Sequence, residues 1–312
     1  MKISVKIIFL IFIAVSLFMP AWLFSEGDNF NVAGLQYRID FEDYSSREDF
    51  FRKIDNSVGE ICSDHKIDLI IFPEYIGVFY QLIKYNDIIR VNESFQSALI
   101  SVLAANPQFA GMADVFLAGT DDLKSYIDGW SEISRKYGVS IIAGSCFASD
   151  SEGGLRNRSF VFNEDGRQIY YQDKVYLTDF EKEIIGLSPA RLEDASFFRI
   201  SGKNIVMTIC RDAYARDWEE KNSGAFLWVD IKANGEVFNS GQRQSFLRAL
   251  PSRLFYSDVN YGITVCAVGR YLDLFWEGES SAIRKDGSGL YLAAAAASSN
   301  DSDTVFFSIP LR

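Results

Sequence analysis

Ile205-Val-Met-Thr-Ile-Cys210-Arg-Asp212-Ala-Tyr214-Ala-Arg-Asp-Trp218 opens as a buried strand and runs straight into a cysteine. Arginine and aspartate follow at once, and apolar sequence gives way to a polar turn. Two readings compete at this position. Free cysteine is among the most buried residue types, so Cys210 could be a core thiol that ends a strand. A thiol at the carboxyl end of a buried strand is also held rigidly, with backbone N–H groups just beyond it free to face a ligand, and that suits a nucleophile. The remainder of the chain has to decide between them.

The 312 residues are 48% hydrophobic and 15% aromatic, enough to fill a large core. The formal net charge of −11 argues against a nucleic-acid partner, because phosphate binding needs a basic footprint. The single histidine, His65, lies in the polar connection Ser63-Asp64-His65-Lys66. Metal sites built on several histidines are excluded, and a Cys-His or Ser-His site would have to use this one residue. Any base serving a cysteine nucleophile is therefore expected to be a carboxylate. Cys62, Cys146, Cys210 and Cys266 are widely spaced and lack a CxxC pair, which is neither a zinc pattern nor a disulfide framework. Cys146 and Cys266 fall in strand-like runs and Cys62 on the apolar face of a helix, so these three read as core. No cofactor or metal is expected.

Residues 1–25 stand apart. Lys2 and Lys6 precede an apolar run from Ile7 to Phe24, and Ser25-Glu26-Gly27-Asp28 follows. This describes an export signal, predicting a periplasmic or secreted protein. The cleavage site is not clean, and an uncleaved anchor of roughly 18 residues tethering the domain to a membrane remains the alternative. From residue 26 to 312 there is no break in composition, so one domain is expected.

Within that domain the pattern is α/β. Asn31–Tyr37 reads as the first strand. Ser45-Ser46-Arg47-Glu48-Asp49 starts a helix with Phe51, Ile54, Val58 and Ile61 on its apolar face. Asp68-Leu-Ile-Ile-Phe72 is a continuous apolar strand of the kind buried on both faces, and it ends in Pro73-Glu74. A carboxylate there loses solvation, which raises its pKa and makes it a better base; the plainer reading is a glutamate capping the next helix. Residues 79–125 read as helices without a motif. Val139–Phe147 is another buried strand, and Ser159–Phe162 and Gln168–Tyr171 form a hairpin around Asn163-Glu-Asp-Gly166. Lys174 sits where that hairpin ends. Further strands are read at Phe226–Val229, Tyr261–Val268 and Thr304–Ile309, with a second hairpin turning at Lys285-Asp-Gly287. Arg243, Arg248 and Arg253 lie in a basic stretch interrupted by Pro251, read as a solvated or subunit-facing surface.

Three segments together, Ile70-Ile-Phe-Pro-Glu74, Tyr171-Gln-Asp-Lys174 through Glu181, and Met207-Thr-Ile-Cys210-Arg-Asp212, resemble the nitrilase (carbon–nitrogen hydrolase) superfamily. The resemblance covers roughly residues 30 to 310. It implies an α-β-β-α sandwich in which two mixed sheets pack face to face with helices outside. It further implies a Glu74-Lys174-Cys210 triad cleaving a non-peptide C–N bond of a small-molecule amide or nitrile through a Cys-bound acyl intermediate. In that scheme Glu74 is the base, and Lys174 with the backbone N–H of Arg211 stabilises the oxyanion. Glu181 orients substrate or water, and subunits associate as homodimers. The chain departs from the family after Asp212, and the Glu74–Lys174 spacing is longer than usual through 79–125. Those segments, with Trp228–Asn234, are expected to shape the pocket. Alternatives are an acyltransferase using the same thioester, a non-catalytic exported binding protein that has kept the fold, and, last, a Cys-His hydrolase built on His65.

Overall fold

A computed structural model describes residues 29–118, 120–287 and 289–311. The segment 1–25, read above as an export signal or anchor, lies outside the described residues. Among the described residues no helix is long and apolar enough to cross a membrane.

The first half of the chain supplies β1 (Asn29–Gln36), β2 (Arg38–Ile39), β3 (Leu69–Phe72), β4 (Ser140–Ser149), β5 (Leu155–Phe162) and β6 (Gln168–Asp173). The second half supplies β7 (Phe198–Ile200), β8 (Lys203–Ile209), β9 (Leu227–Lys232), β10 (Tyr261–Cys266), β11 (Val268–Tyr271), β12 (Leu274–Trp276), β13 (Ser281–Asp286), β14 (Gly289–Ala295) and β15 (Asp303–Pro310). One six-stranded sheet has the order β15-β1-β3-β4-β5-β6, and the other β14-β13-β10-β9-β8-β7. A small sheet, β12-β11-β2, joins their ends. In each large sheet three central strands are parallel: β1, β3 and β4 in one, β8, β9 and β10 in the other. β5 and β6 then follow β4 as antiparallel neighbours. Two reversals bring β6 back to the direction of β4, so its carboxyl end emerges at the same edge as that of β3.

Alternation along the strands sorts side chains into layers. Val32, Leu69, Ile71 and Ile142 of one sheet pack against Met207, Val229, Ile231 and Ile263 of the other. The sheets come close enough that a Cβ on Gly34 would lie 2.8 Å from Val265 Cγ2. The opposite face of the first sheet, with Ile70, Phe72 and Ile141, is covered by Ile54, Val58 and Trp130 from the helices Arg47–Asp64 and Thr120–Tyr137. The outer face of the second, with Val206 and Trp228, is covered by Trp218, Leu250 and Leu254. The architecture is thus an α-β-β-α sandwich.

Several local expectations need adjustment. The helix Arg47–Asp64 begins at Ser46, whose side chain accepts from the Asp49 N–H, but the buried position of its first turn is Phe50. Phe51 is only partly buried, its ring against Phe50 and Trp130. Cys62 is half-buried at the margin of the core. Pro251 does not merely interrupt the basic stretch. It starts a second helix, Leu250–Tyr256, after Ser240–Arg248, because a proline is tolerated in a first helical turn. Arg253 is buried and paired with Glu219, contrary to the surface role expected for it.

Candidate active site

Each of the three segments singled out in the sequence ends at the same edge of the sandwich. Glu74 follows β3, where a turn with Tyr75 at φ 71° leads into the helix Ile76–Tyr80. β4 passes tightly against this turn. Its Gly144 has φ +63°, and a Cβ there would strike the Pro73 carbonyl oxygen at 2.4 Å, so only glycine fits. The strand pairing slips between Ile142 and Ser145, and Ser145 Oγ accepts from the Tyr75 N–H at 3.0 Å. Lys174 follows β6, its N–H bonded to the Asn157 carbonyl of β5. Cys210 begins a short 3₁₀ turn, Cys210–Tyr214, after β8.

Glu74, Lys174 and Glu181 form one buried cluster, none more than 1% exposed. Lys174 Nζ donates to Glu74 Oε1 at 2.8 Å and to Glu181 Oε1 at 2.9 Å. Asn157 bridges the same two oxygens through its amide, at 2.9 and 3.0 Å. Glu181 also accepts from the Tyr75 hydroxyl and from the N–H and hydroxyl of Thr178. The second Glu74 oxygen accepts from the Ala233 N–H at 3.0 Å. Every oxygen that could take a proton or hold one is therefore fixed by the fold.

The electrostatics separate the two glutamates. Burial pushes the Glu74 carboxyl up; the Lys174 charge opposes this and the Glu181 charge adds to it. Burial acts on Glu181 too, but the Lys174 charge and hydrogen bonds from Thr178, Lys174 and Asn157 outweigh it and hold that carboxyl low. Glu181 is thus held in its charged form more firmly than Glu74, whose carboxyl takes up a proton more readily. Lys174, desolvated but flanked by Glu74, Cys210 and Glu181, is held in its charged form. Burial and then the Glu74 charge push the Cys210 thiol up to about 12, against the opposing lysines Lys232 and Lys174. At neutral pH the thiol keeps its proton.

Asp212 binds the loops together. Its fully buried carboxylate accepts from the Val175 and Tyr176 N–H groups at 3.1 and 2.7 Å and from the Ile209 N–H at 3.2 Å. The Cys210 loop and the Lys174 loop are tied through this side chain. Cys210 itself sits at φ +54°, a left-handed conformation that costs a non-glycine residue about 1–2 kcal/mol.

Cys210 lines a cavity of about 490 Å³. Its walls include Phe79 and Phe95 from the 79–125 region, Ala233 and Asn234 after β9, and Phe147, Phe246, Phe275 and Trp276. Glu74, Lys174 and Glu181 are not among the lining; they lie buried behind it, joined to it through Ala233 and Tyr75. The Arg211 side chain is exposed, and its backbone N–H belongs to the first turn, where it has no intrahelical acceptor. His65 lies before β3, at the opposite end of that strand from Glu74, with its ring against Phe306 at 4.2 Å. The other three cysteines are free thiols. Among the described residues no group of three or more His, Cys, Asp or Glu side chains is placed to hold a metal ion. Sequence reading missed Asn157, which sits in a strand without a distinguishing pattern, and Lys232. The latter had a signal, since Asp230-Ile-Lys232 puts two charges on one face of an apolar strand.

A model of the carbon-nitrogen hydrolase family matches residues 31–216. The chain belongs to that family. Among curated proteins it is similar to "Probable hydrolase YhcX" of Bacillus subtilis, 26% identical over 167 residues. That match spans 54% of this chain but only 27% of the relative. Solved structures sharing the fold include Saccharomyces cerevisiae Nit3, of the nitrilase superfamily, at 18% identity and TM-score 0.62, covering 91% of this chain and 90% of that one. An amidase from Nesterenkonia sp. gives 14% identity and TM-score 0.66, covering 91% of both chains.

Proposed function

We propose that this chain is an exported or membrane-tethered thiol hydrolase that cleaves the C–N bond of a non-peptide amide, or hydrates and hydrolyses a nitrile, with Cys210 as nucleophile. The observation that carries this reading is the pairing of a neutral thiol, on a left-handed backbone position in an aromatic-rich cavity, with a buried Glu-Lys-Glu cluster behind that cavity's lining. The export arm rests on residues 1–25 alone.

Glu74 takes the Cys210 proton as sulfur attacks the carbonyl carbon, so that thiolate never has to accumulate. An ammonium has three donors, and Glu74 and Glu181 occupy two on Lys174. The third, with the Arg211 N–H, meets the oxygen as it becomes negative once the carbonyl passes beyond the cavity lining that covers Lys174. Collapse breaks the C–N bond, and the amine leaves with the proton held by Glu74. Glu74 then deprotonates a water that attacks the thioester, and the acid departs as the thiol is restored. A nitrile would pass through a thioimidate by the same first step. Glu181, kept ionised, fixes the Lys174 charge and the Tyr75 ring. In a mutant of the Nesterenkonia amidase the acetamide moiety of fluoroacetamide is found covalently added at the active-site cysteine, which supports a nucleophilic role for the cysteine here.

The aromatic walls favour an amide whose acyl group is apolar and of aryl or branched-alkyl size. Pairing of subunits is proposed from the family resemblance. Release of ammonia or amine from a panel of aryl, branched and short-chain amides and nitriles tests the function. Turnover of the bulkier apolar amides, lost in Cys210→Ala, is expected; full activity in Cys210→Ala would overturn the reading.

A further inference from the structure

The cavity wall holds one more buried charge that the mechanism above does not use. Lys232, the last residue of β9, is 1% exposed and lines the cavity beside Cys210. Its ammonium donates to the Cys210 carbonyl oxygen at 3.2 Å. The rings of Tyr214 and Phe246 flank it at 5.1 and 5.2 Å. Asp230, on the same face of the strand, places Oδ2 3.2 Å from Nζ. The Asp230 carboxyl also faces the Cys210 N–H, although neither of its oxygens has a well-aligned hydrogen-bond donor among the described residues. Apolar side chains of similar volume would hold such a strand at least as well, because desolvating an ion pair commonly offsets its attraction. Stability does not call for this pair.

We propose that Lys232, held by Asp230, is a positioning residue for the reaction: it grips the Cys210 carbonyl so that the following peptide presents the Arg211 N–H to the substrate oxygen, and it lays a second positive charge beside the sulfur. The inference rests on the reading of Cys210 as nucleophile. In a planar trans peptide the C=O and the following N–H point in opposite directions. Fixing the oxygen of Cys210 on the Lys232 side therefore fixes the direction of the Arg211 N–H. Cys210 itself holds a left-handed φ, so the loop adopts a backbone conformation that side-chain-bearing residues seldom take. The charged and titratable groups facing Cys210 include Glu74, Lys232, Lys174 and Asp230, with Tyr75 and Cys266, and those facing Lys232 include Asp230, Cys210, Tyr214, Cys266 and Glu74. Lys232 and Asp230 thus act on the sulfur with opposite signs.

That opposition supplies a test that general damage to the fold would not mimic. Iodoacetamide alkylation of Cys210 in the full protein, followed by intact mass against pH, needs no substrate. Lys232→Met is expected to move the alkylation profile to higher pH, and Asp230→Asn to move it to lower pH. In Lys232→Met, kcat should fall about 10²-fold, the usual loss for one oxyanion contact, with KM within about threefold. Should Lys232→Met fail to fold, the Asp230→Asn/Lys232→Met double variant leaves no unpaired charge, and its profile should lie above that of Asp230→Asn. Shifts in the same direction, unshifted profiles, or an unchanged kcat would overturn the proposal. Opposite shifts without hydrolysis of any amide or nitrile would sink the hydrolase reading while sustaining the Lys232 assignment to the sulfur.

Discussion

Replacing Asp212 separates what holds the site together from what performs the chemistry. Its carboxylate is fully buried and is the acceptor for three backbone N–H groups, two in the Lys174 loop and one at the end of β8. In Asp212→Ala those donors lose their partner, and each buried donor left unmade costs about 1–3 kcal/mol. A loss of about 3–6 kcal/mol is expected once a water takes up part of the space. In Asp212→Asn the amide oxygen can stay with Val175 and Tyr176, where two donors demand it, while its NH₂ faces the Ile209 N–H. One bond is lost, at about 1–3 kcal/mol. The same difference should appear in kcat. Asparagine keeps the tie to the lysine loop, so Lys174 stays in place and the loss is at most about tenfold. Alanine releases that tie, and a displacement near 1 Å can cost about 10²-fold. Urea unfolding at equal slope gives the stabilities, and kcat on the best amide gives the second ordering. Equal behaviour of the two variants, or an alanine variant within about 1 kcal/mol of the parent, would refute the argument.

Glu74→Gln should lower kcat/KM by about 10²–10⁴, the range for a positioned general base, while Cys210 still alkylates at alkaline pH; steady-state kinetics beside intact-mass alkylation checks both. The pH profile of kcat/KM should have an acid limb above the ordinary carboxylate range, because burial raises Glu74 and the base is blocked while it carries a proton. With the Cys210 thiol pushed up to about 12, no falling limb is expected in the mildly alkaline range, and a bell centred near neutrality would contradict the Glu74–Cys210 pairing. His65→Ala should leave kcat and KM within about twofold, since the ring lies at the far end of β3; a large loss would revive a Cys-His mechanism.

Much of this arrangement was legible in the sequence because its signals are local. Apolar runs that end abruptly in Glu74 and Cys210 mark strand ends, and the Asn163–Gly166 turn fixes where β6 begins, from which pairing with β5 runs to Asp173, just before Lys174. The scarcity of histidine narrowed the base to a carboxylate before any geometry was known. What escaped reading depends on contacts between distant segments. Asn157 matters because β5 places it between Glu74 and Glu181, 83 residues from the one and 24 from the other. Asp212 stood within the quoted motif, yet its role comes from the Val175 and Tyr176 N–H groups of another loop. Arg253 looked like surface because three arginines share a helical stretch, whereas Glu219, from a separate helix, supplies its buried partner. The 79–125 segment offered no motif, and only the folded chain shows Phe79 and Phe95 in the cavity wall.

The central claim is that Cys210 carries the acyl group during turnover. Acid quenching of the enzyme during hydrolysis of an apolar aryl or branched amide, followed by intact mass and peptide mapping, tests it most directly. A mass increase equal to the acyl group, confined to the peptide bearing Cys210 and absent in Cys210→Ala, is the predicted result. Turnover with no adduct under rapid quenching, or an adduct that persists on another residue in Cys210→Ala, would contradict it.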